Sequence, residues 1–467
     1  MTASAKPSID WATPKCDSVA DAVAAGRALR SRASRRGQAA WRPGSDRPDP
    51  VAILQQSDEG RLVDLLPIRY RRMLVNPFTF YRGAAAIMAS DLASLPVSGI
   101  RTQICGDGHL LNFGGFGTPE NRFVFDVNDF DETTLGAWEW DVKRLVTSVI
   151  IAARHLKLAP SESRMAALQC IRAYRERVRG YAVMKVLEVW YDRLSEARLN
   201  EIVSSARTRR QYHASVRKAK AETRAHEFPS FVREISGAVK IVDNPPLLYH
   251  PKDAAPFFEM VRAAFTAYRE TLSHDLGALF DRFTLRDAAY KVVGVGSVGT
   301  RCLIALFTAA EDDPLVLQMK EARPSVFETY AGAPPFDSQG ERVVTGQRAL
   351  QAASDLFVGF AKASDGHDYY VRQLRDMKTS EDVDDMSAID LADYADFCGW
   401  CLARAHSKAS GSAAMIAGYL GRSTAFDEAV VQFAESYANQ NERDYDALVD
   451  AVQKGKVKAA AAQPKSG

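Results

Sequence analysis

The spacing of apolar and polar positions changes rhythm several times along the chain. Residues 67–95 carry a helical spacing interrupted at Pro77 and Gly83, and residues 101–130 shorten to strands joined by glycine-rich turns. A long amphipathic helix is predicted over residues 138–158. The helical pattern then continues to about His226 and includes a strongly basic stretch, 206–224, that reads as a solvated helix face. A short β pattern at 237–249 surrounds the Asn244-Pro-Pro246 turn, and helix resumes over 255–279. Residues 288–319 read as strand, glycine turn, strand, polar turn, strand. After them come a helix over 340–363, a strand over 368–374 and a helix over 391–406. Strands gathered in two places among helices predict a mixed α/β fold of the α+β type. There is no internal repeat.

Composition narrows the functional classes. The 467 residues have ordinary globular proportions, 46% apolar and 25% charged. Sixty basic against 58 acidic side chains leave a net charge of +2, which argues against a chain that coats nucleic acid or an anionic membrane. No apolar run reaches the length of a membrane helix, and residues 1–15 lack a secretory core. Six scattered cysteines fit reduced thiols, so a cytoplasmic location is expected. Cys398-Gly-Trp-Cys401 has redox spacing but lies inside a helical pattern, which favours two packed thiols. Residues 1–50, with seven arginines between Arg27 and Arg47, read as a partly disordered basic lead-in, and 455–467 as a disordered tail.

Two distant clusters carry candidate chemistry. The first is Cys105-Gly-Asp-Gly-His-Leu-Leu-Asn112, followed by Asp129-Phe-Asp131 at the end of an apolar strand. Asp107 and Asn112 have the separation of a protein-kinase catalytic loop, in which the acid accepts a hydroxyl proton and the Asn holds Mg²⁺. Asp129 stands where such an enzyme places its metal-binding acid, so Asn112, Asp129 and Asp131 form the candidate Mg²⁺ set, with Asp126 a further neighbouring acid. His109 could orient Asp107 or a phosphate, or serve the fold. The second cluster holds Gly294, Gly296, Ser297 and Gly299 in a turn between two strands, and the next strand ends in Lys320. A dinucleotide-binding turn would open a helix, whereas a glycine turn between antiparallel strands is the phosphate-covering loop of a kinase. The Walker pattern is absent. Glu341 is the first-choice acidic partner for Lys320, with Glu328 as the alternative. Arg372 and Arg375 sit on a strand where they pair with Asp376 or reach a substrate anion.

Larger stretches carry a resemblance. Tyr81-Arg-Gly83, Gly106-Asp-Gly-His109, Asn128-Asp-Phe-Asp-Glu132, Trp140-Asp-Val-Lys-Arg-Leu145 and Ala403-Arg-Ala-His406 resemble the bacterial family domain of unknown function 2252 over about residues 20–450. A second resemblance, to aminoglycoside-phosphotransferase-like kinases, implies a two-lobed fold with its order reversed. The helix ending near Lys408 resembles the one that leads into the catalytic loop, yet that loop stands near the front of the chain. The expected architecture is therefore a circularly permuted kinase-like fold. A large helical lobe spans 60–285, a small antiparallel β lobe 286–378, and linking helices 385–450. The implied ligands are ATP, Mg²⁺ and a small-molecule acceptor of unknown identity, with no membrane and no nucleic acid as partner. Alternatives are a non-catalytic nucleotide binder, nucleotidyl transfer on the same fold and, more distantly, a Rossmann oxidoreductase.

Overall fold

The computed structural model describes residues 9, 11, 16–120, 122–204, 207, 209–210, 213–214, 216–217, 229–235, 237–374 and 383–461. Its helices and strands make a mixed α+β fold. Strands are numbered in chain order: β1 (Arg101–Ile104), β2 (Phe113–Gly117), β3 (Phe123–Val127), β4 (Thr134–Ala137), β5 (Leu194–Ser195), β6 (Val232–Ile235), β7 (Ala238–Ile241), β8 (Leu248–Tyr249), β9 (Thr284–Lys291), β10 (Cys302–Thr308), β11 (Pro314–Glu321), β12 (Gly359–Lys362) and β13 (Asp368–Gln373).

The unbroken apolar run of β10 is buried on both faces, and a six-stranded antiparallel sheet is built outward from it in the order β12-β13-β11-β10-β9-β8. Alternation along β11 then sorts its side chains. Leu315, Leu317 and Met319 join an apolar cluster with Phe257, Val261, Phe265 and Tyr268 of the helix Ala254–Arg269. Gln318 and Lys320 face the other way, in register with Arg372 and Tyr370 of β13. Polar side chains thus collect on one end of a sheet face whose remainder, Ile304, Leu306 and Val316, packs with residues of the β6–β7 hairpin.

The larger core surrounds the helix Trp138–His155, buried along residues 138–153. Helices Pro160–Tyr181, Ala388–Ser410 and Ala425–Gln453 pack around it, and Trp138 stacks on Tyr174. At the N-terminal end of the central helix lie two antiparallel ladders, β1–β4 and the hairpin β2–β3. Among the described residues no helix is long and apolar enough to cross a membrane. Cys398 and Cys401 are buried thiols that form no disulfide among the described residues.

Three readings of the sequence change. The helix expected over 340–363 is Gln339–Leu350; it stops because Gln351 turns extended, and Gly359–Lys362 is instead the edge strand. The basic lead-in is docked. Arg30 donates to the carbonyls of Gly418 and Tyr419, and Arg35 to that of Leu420, satisfying the orphan end of the helix Ala413–Leu420. The start of the expected tail is also fixed, with Val457 buried and the Ala460 N–H on the Pro67 carbonyl. Most of the basic stretch 206–224, and both Arg375 and Asp376, lie outside the described residues.

Arg47 is the strongest of the lead-in contacts. It bonds Asp91 through Nε (2.8 Å) and Asp444 through Nη2 (2.6 Å), joining three segments of the chain. Removing it strands two buried carboxylates, so Arg47→Ala should lower the unfolding free energy by about 3–5 kcal/mol in urea titrations. A loss under about 1 kcal/mol would show that the lead-in is not part of the fold.

Candidate active site

The loop after β1 is pinned from the central helix. Asp141, in its first turn, accepts the N–H groups of Cys105 (2.7 Å) and Gly106 (2.9 Å) and meets His406 Nε2 at 3.1 Å. Gly106 has φ +82°, and a Cβ there would lie 2.2 Å from the Glu132 carbonyl, so only glycine fits. Three positions further along the same helix face, Arg144 reaches Asp107 Oδ1 through Nε (2.6 Å) and Nη2 (2.5 Å). Asp107 Oδ2 has His109 Nε2 at 3.9 Å. Burial raises the Asp107 carboxyl above its usual range, and Asp129 adds to this, against the pull of Arg144 and Arg82. Burial, with Arg82 and Arg144, drives His109 well below its ordinary value, so its ring is neutral. Asn112 Nδ2 donates to the Asp107 carbonyl at 2.6 Å, which leaves its Oδ1 as the free end.

The second acidic loop lies alongside, because the Asn128 N–H donates to the Asn112 carbonyl at 2.8 Å. Phe130 is buried in the large core and separates the two acids of the Asp-Phe-Asp sequence. Asp131 is fully engaged. It pairs with Lys320, accepts Ser297 Oγ at 3.1 Å on the same oxygen, and takes Tyr370 OH at 2.7 Å on the other. Burial works against its charge, but Lys320 and these hydrogen bonds outweigh that and hold the carboxyl down at about 2. Asp129 accepts only the Asp131 N–H, at 3.2 Å, and has no ion pair among the described residues.

The glycine turn joins β9 to β10. Gly294 and Gly299 hold positive φ values, +66° and +89°. Its carbonyls face the helical side: Arg61 bonds those of Gly296 (2.8 Å) and Val298 (2.7 Å), Arg72 that of Gly294, and the Leu62 N–H that of Gly299. Among the described residues, the N–H groups of Gly294 to Ser297 have no hydrogen-bond partner. Successive free amides in a turn make an anion-binding concavity.

Two adjoining cavities meet beneath this turn. One, of about 220 Å³, is lined by Asp107, His109, Asn112, Asp129, Asp131, Gly294, Gly296 and Ser297. The other, of about 300 Å³, is lined by Lys320, Arg372, Gln318, Asp129, Gly294 and Ser297. Asp129, Gly294 and Ser297 form the shared wall. Residues from the two sequence clusters therefore face one another. Gly299 is buried behind the turn and lines neither cavity; nor does Glu341. The acid that meets Lys320 is Asp131, not Glu341, while Glu328 lies 3.3 Å from Arg342. Asp126 is withdrawn from both cavities by a buried pair with Arg404 at 2.7 Å.

No three His, Cys, Asp or Glu side chains among the described residues gather closely enough to hold a metal. With Asp131 held by Lys320, the available donors on the cavity wall are the Asp129 carboxylate and Asn112 Oδ1. That hard-oxygen pair fits Mg²⁺, which usually takes one or two protein carboxylates and completes its shell with water and phosphate.

Residues 61–451 match the bacterial family domain of unknown function 2252, described as an uncharacterized protein conserved in bacteria. The chain belongs to this family. No curated protein and no solved structure matches it. The match to domain of unknown function 2252 includes Asp107, Asn112, Asp129, Asp131 and Lys320, and it leaves out the docked arginines of the lead-in.

Because the Asp131 carboxyl lies below its ordinary value, its contribution is complete above about pH 4 and is lost as pH falls toward about 2. Asp131→Asn should therefore be less stable than the parent at neutral pH, with the gap in urea midpoint narrowing as pH falls from about 4 to about 2. A gap that does not change with pH would show that Asp131 is not held as a carboxylate by Lys320.

Proposed function

We propose that this chain is a Mg-ATP-dependent phosphotransferase acting on a hydroxyl of a small molecule, built on a circularly permuted kinase-type fold. The observation that carries this reading is the Lys320–Asp131–Ser297 junction. It joins the glycine turn and the lysine strand to the acid loop, across 189 positions for the lysine and 166 for the serine. The order of elements supports the permutation. Ser410, at the end of the helix Ala388–Ser410, lies 2.8 Å from Thr102 of β1, so the helix hands over in space to the strand that leads into the Asp107 loop.

In this reading the nucleotide occupies the Lys320 cavity and the free amides of Gly294 to Ser297 cover its phosphates. Lys320, oriented by Asp131, offers its ammonium to them. When bound at Asp129 and Asn112, Mg²⁺ would neutralise charge on the phosphates. Asp107 Oδ2 accepts the hydroxyl proton as the acceptor oxygen bonds to the γ-phosphorus. The bond to the β–γ bridging oxygen breaks, and ADP leaves with that electron pair. Arg144 fixes the carboxylate by its other oxygen, so the proton acceptor is positioned before substrate arrives.

Asp129→Ala should lose the Mg²⁺-dependent rise in melting temperature on adding ATP while keeping the ligand-free melting temperature. Asp107→Asn should keep that rise and lose phosphate transfer by about 10²- to 10⁴-fold, followed by mass analysis of products. Unchanged ATP stabilisation in Asp129→Ala would overturn the metal assignment. ATP binding without turnover by the parent, across a broad acceptor screen, would favour a non-catalytic nucleotide binder. A product heavier by AMP would identify nucleotidyl transfer.

A further inference from the structure

The cavity that holds Asp107 has guanidinium groups as well as acids on its wall. Four arginines line it, and three are engaged. Arg69 bonds Asp58 at 2.7 Å and the Gly83 carbonyl at 3.2 Å; Arg61 bonds the glycine-turn carbonyls; Arg323 bonds those of Ser57 and Glu59. Arg82 differs. Its Nε is buried without a partner, and among the described residues its guanidinium has neither a hydrogen bond nor an ion pair. The carboxylate whose charge reaches it, Asp107, is already bonded by Arg144.

The backbone holds Arg82 firmly. It sits in the last turn of the helix Pro77–Gly83, whose start is closed by a reciprocal Asn76–Thr79 cap. Arg144 Nη2 bonds the carbonyl of the preceding residue, Tyr81, at 3.0 Å. The Arg82 carbonyl lies against the glycine turn, 3.4 Å from where a Cβ on Gly296 would stand. Arg82 therefore occupies the junction of the turn and the Asp107 loop. It lines the Asp107 cavity and not the Lys320 cavity.

We propose that Arg82 is the anion seat of the acceptor: the second substrate is a hydroxy acid or a phosphorylated alcohol. Its negative group docks on Arg82 while its hydroxyl faces Asp107 Oδ2. This rests on the phosphotransfer reading and narrows it to anionic acceptors. A planar guanidinium suits both carboxylate and phosphate through paired N–H donors. The rival ligand anion is the terminal phosphate of the nucleotide, but Arg82 lines the Asp107 cavity and not the Lys320 cavity, which favours the acceptor.

The test uses the full chain with Mg²⁺ and a non-hydrolysable ATP analogue, titrated calorimetrically with glycerate, glycerol phosphate and glycerol. The two anions should bind and neutral glycerol should not. Arg82→Gln should weaken anion binding by at least about tenfold, Arg82→Lys should retain part of it, and both variants should bind the ATP analogue as the parent does. Ligand-free melting curves of both variants establish that they are folded. Equal binding of glycerol, unchanged anion binding in Arg82→Gln, or no anion binding by the parent would each overturn the proposal. Loss of the ATP analogue with the anions retained would also overturn it, assigning Arg82 to the terminal phosphate. Arg82-dependent anion binding in a chain that ignores the Mg²⁺–ATP analogue would instead sink the phosphotransfer reading and leave the anion seat standing.

Discussion

One ion pair, between buried Lys320 and half-buried Asp131, ties the sheet to the acid loop across the cleft. Lys320 comes from the polar side of a strand whose other side belongs to an apolar core, and Asp131 comes from a loop anchored by Phe130 in a different core. Neither charge could be withdrawn from water alone without a large penalty, and each supplies what the other lacks. Ser297 and Tyr370 complete the carboxylate's hydrogen bonds, so the pair is satisfied as well as neutralised. Placing the pair at this junction makes the relative position of sheet and helices a matter of ångströms.

The same device recurs around the site. Asp141 gathers two backbone N–H groups and a histidine, Arg144 clamps Asp107, and Arg404 holds Asp126 to the helix Ala388–Ser410. These groups sit on the long buried helices, and they hold the Asp107 loop and the strand β3 against them. Charge that would be costly in an apolar interior is tolerated because each group is paired or hydrogen-bonded. Asp129 and Arg82 are the exceptions, one negative and one positive, both on a cavity wall and both without an ion-pair partner among the described residues.

Much of this could be read from sequence, for local reasons. Turn residues at fixed offsets marked Asp107, Asn112 and Asp129, and the strand that follows the glycine turn and its partner strand ended in Lys320. The partner of Lys320 could not be found that way. Glu341 was the natural choice for a lysine followed by a helix, but Asp131 lies 189 positions earlier, and only the packing of two cores brings it near. The contacts of Arg144 and Asp141, though both lie in the quoted Trp140–Leu145 stretch, could not be read because charged residues at helical spacing usually face water, whereas theirs is a helix buried on all sides. The end of the helix Gln339–Leu350 was equally invisible, since no glycine or proline stands between Leu350 and Gly359; side-chain caps end it instead, with Lys408 on the carbonyls of Arg348 and Gln351.

The bonds from Arg61, Arg72 and Leu62 to the carbonyls of the glycine turn bear on traffic as well as shape. A hairpin free at its tip can swing upward like a hatch, but this one is tethered along its outer edge to the helical body. Lifting the turn away from the helical body requires these tethers to break together, so the flank of the turn is the side left open to any ligand that would enter beneath it.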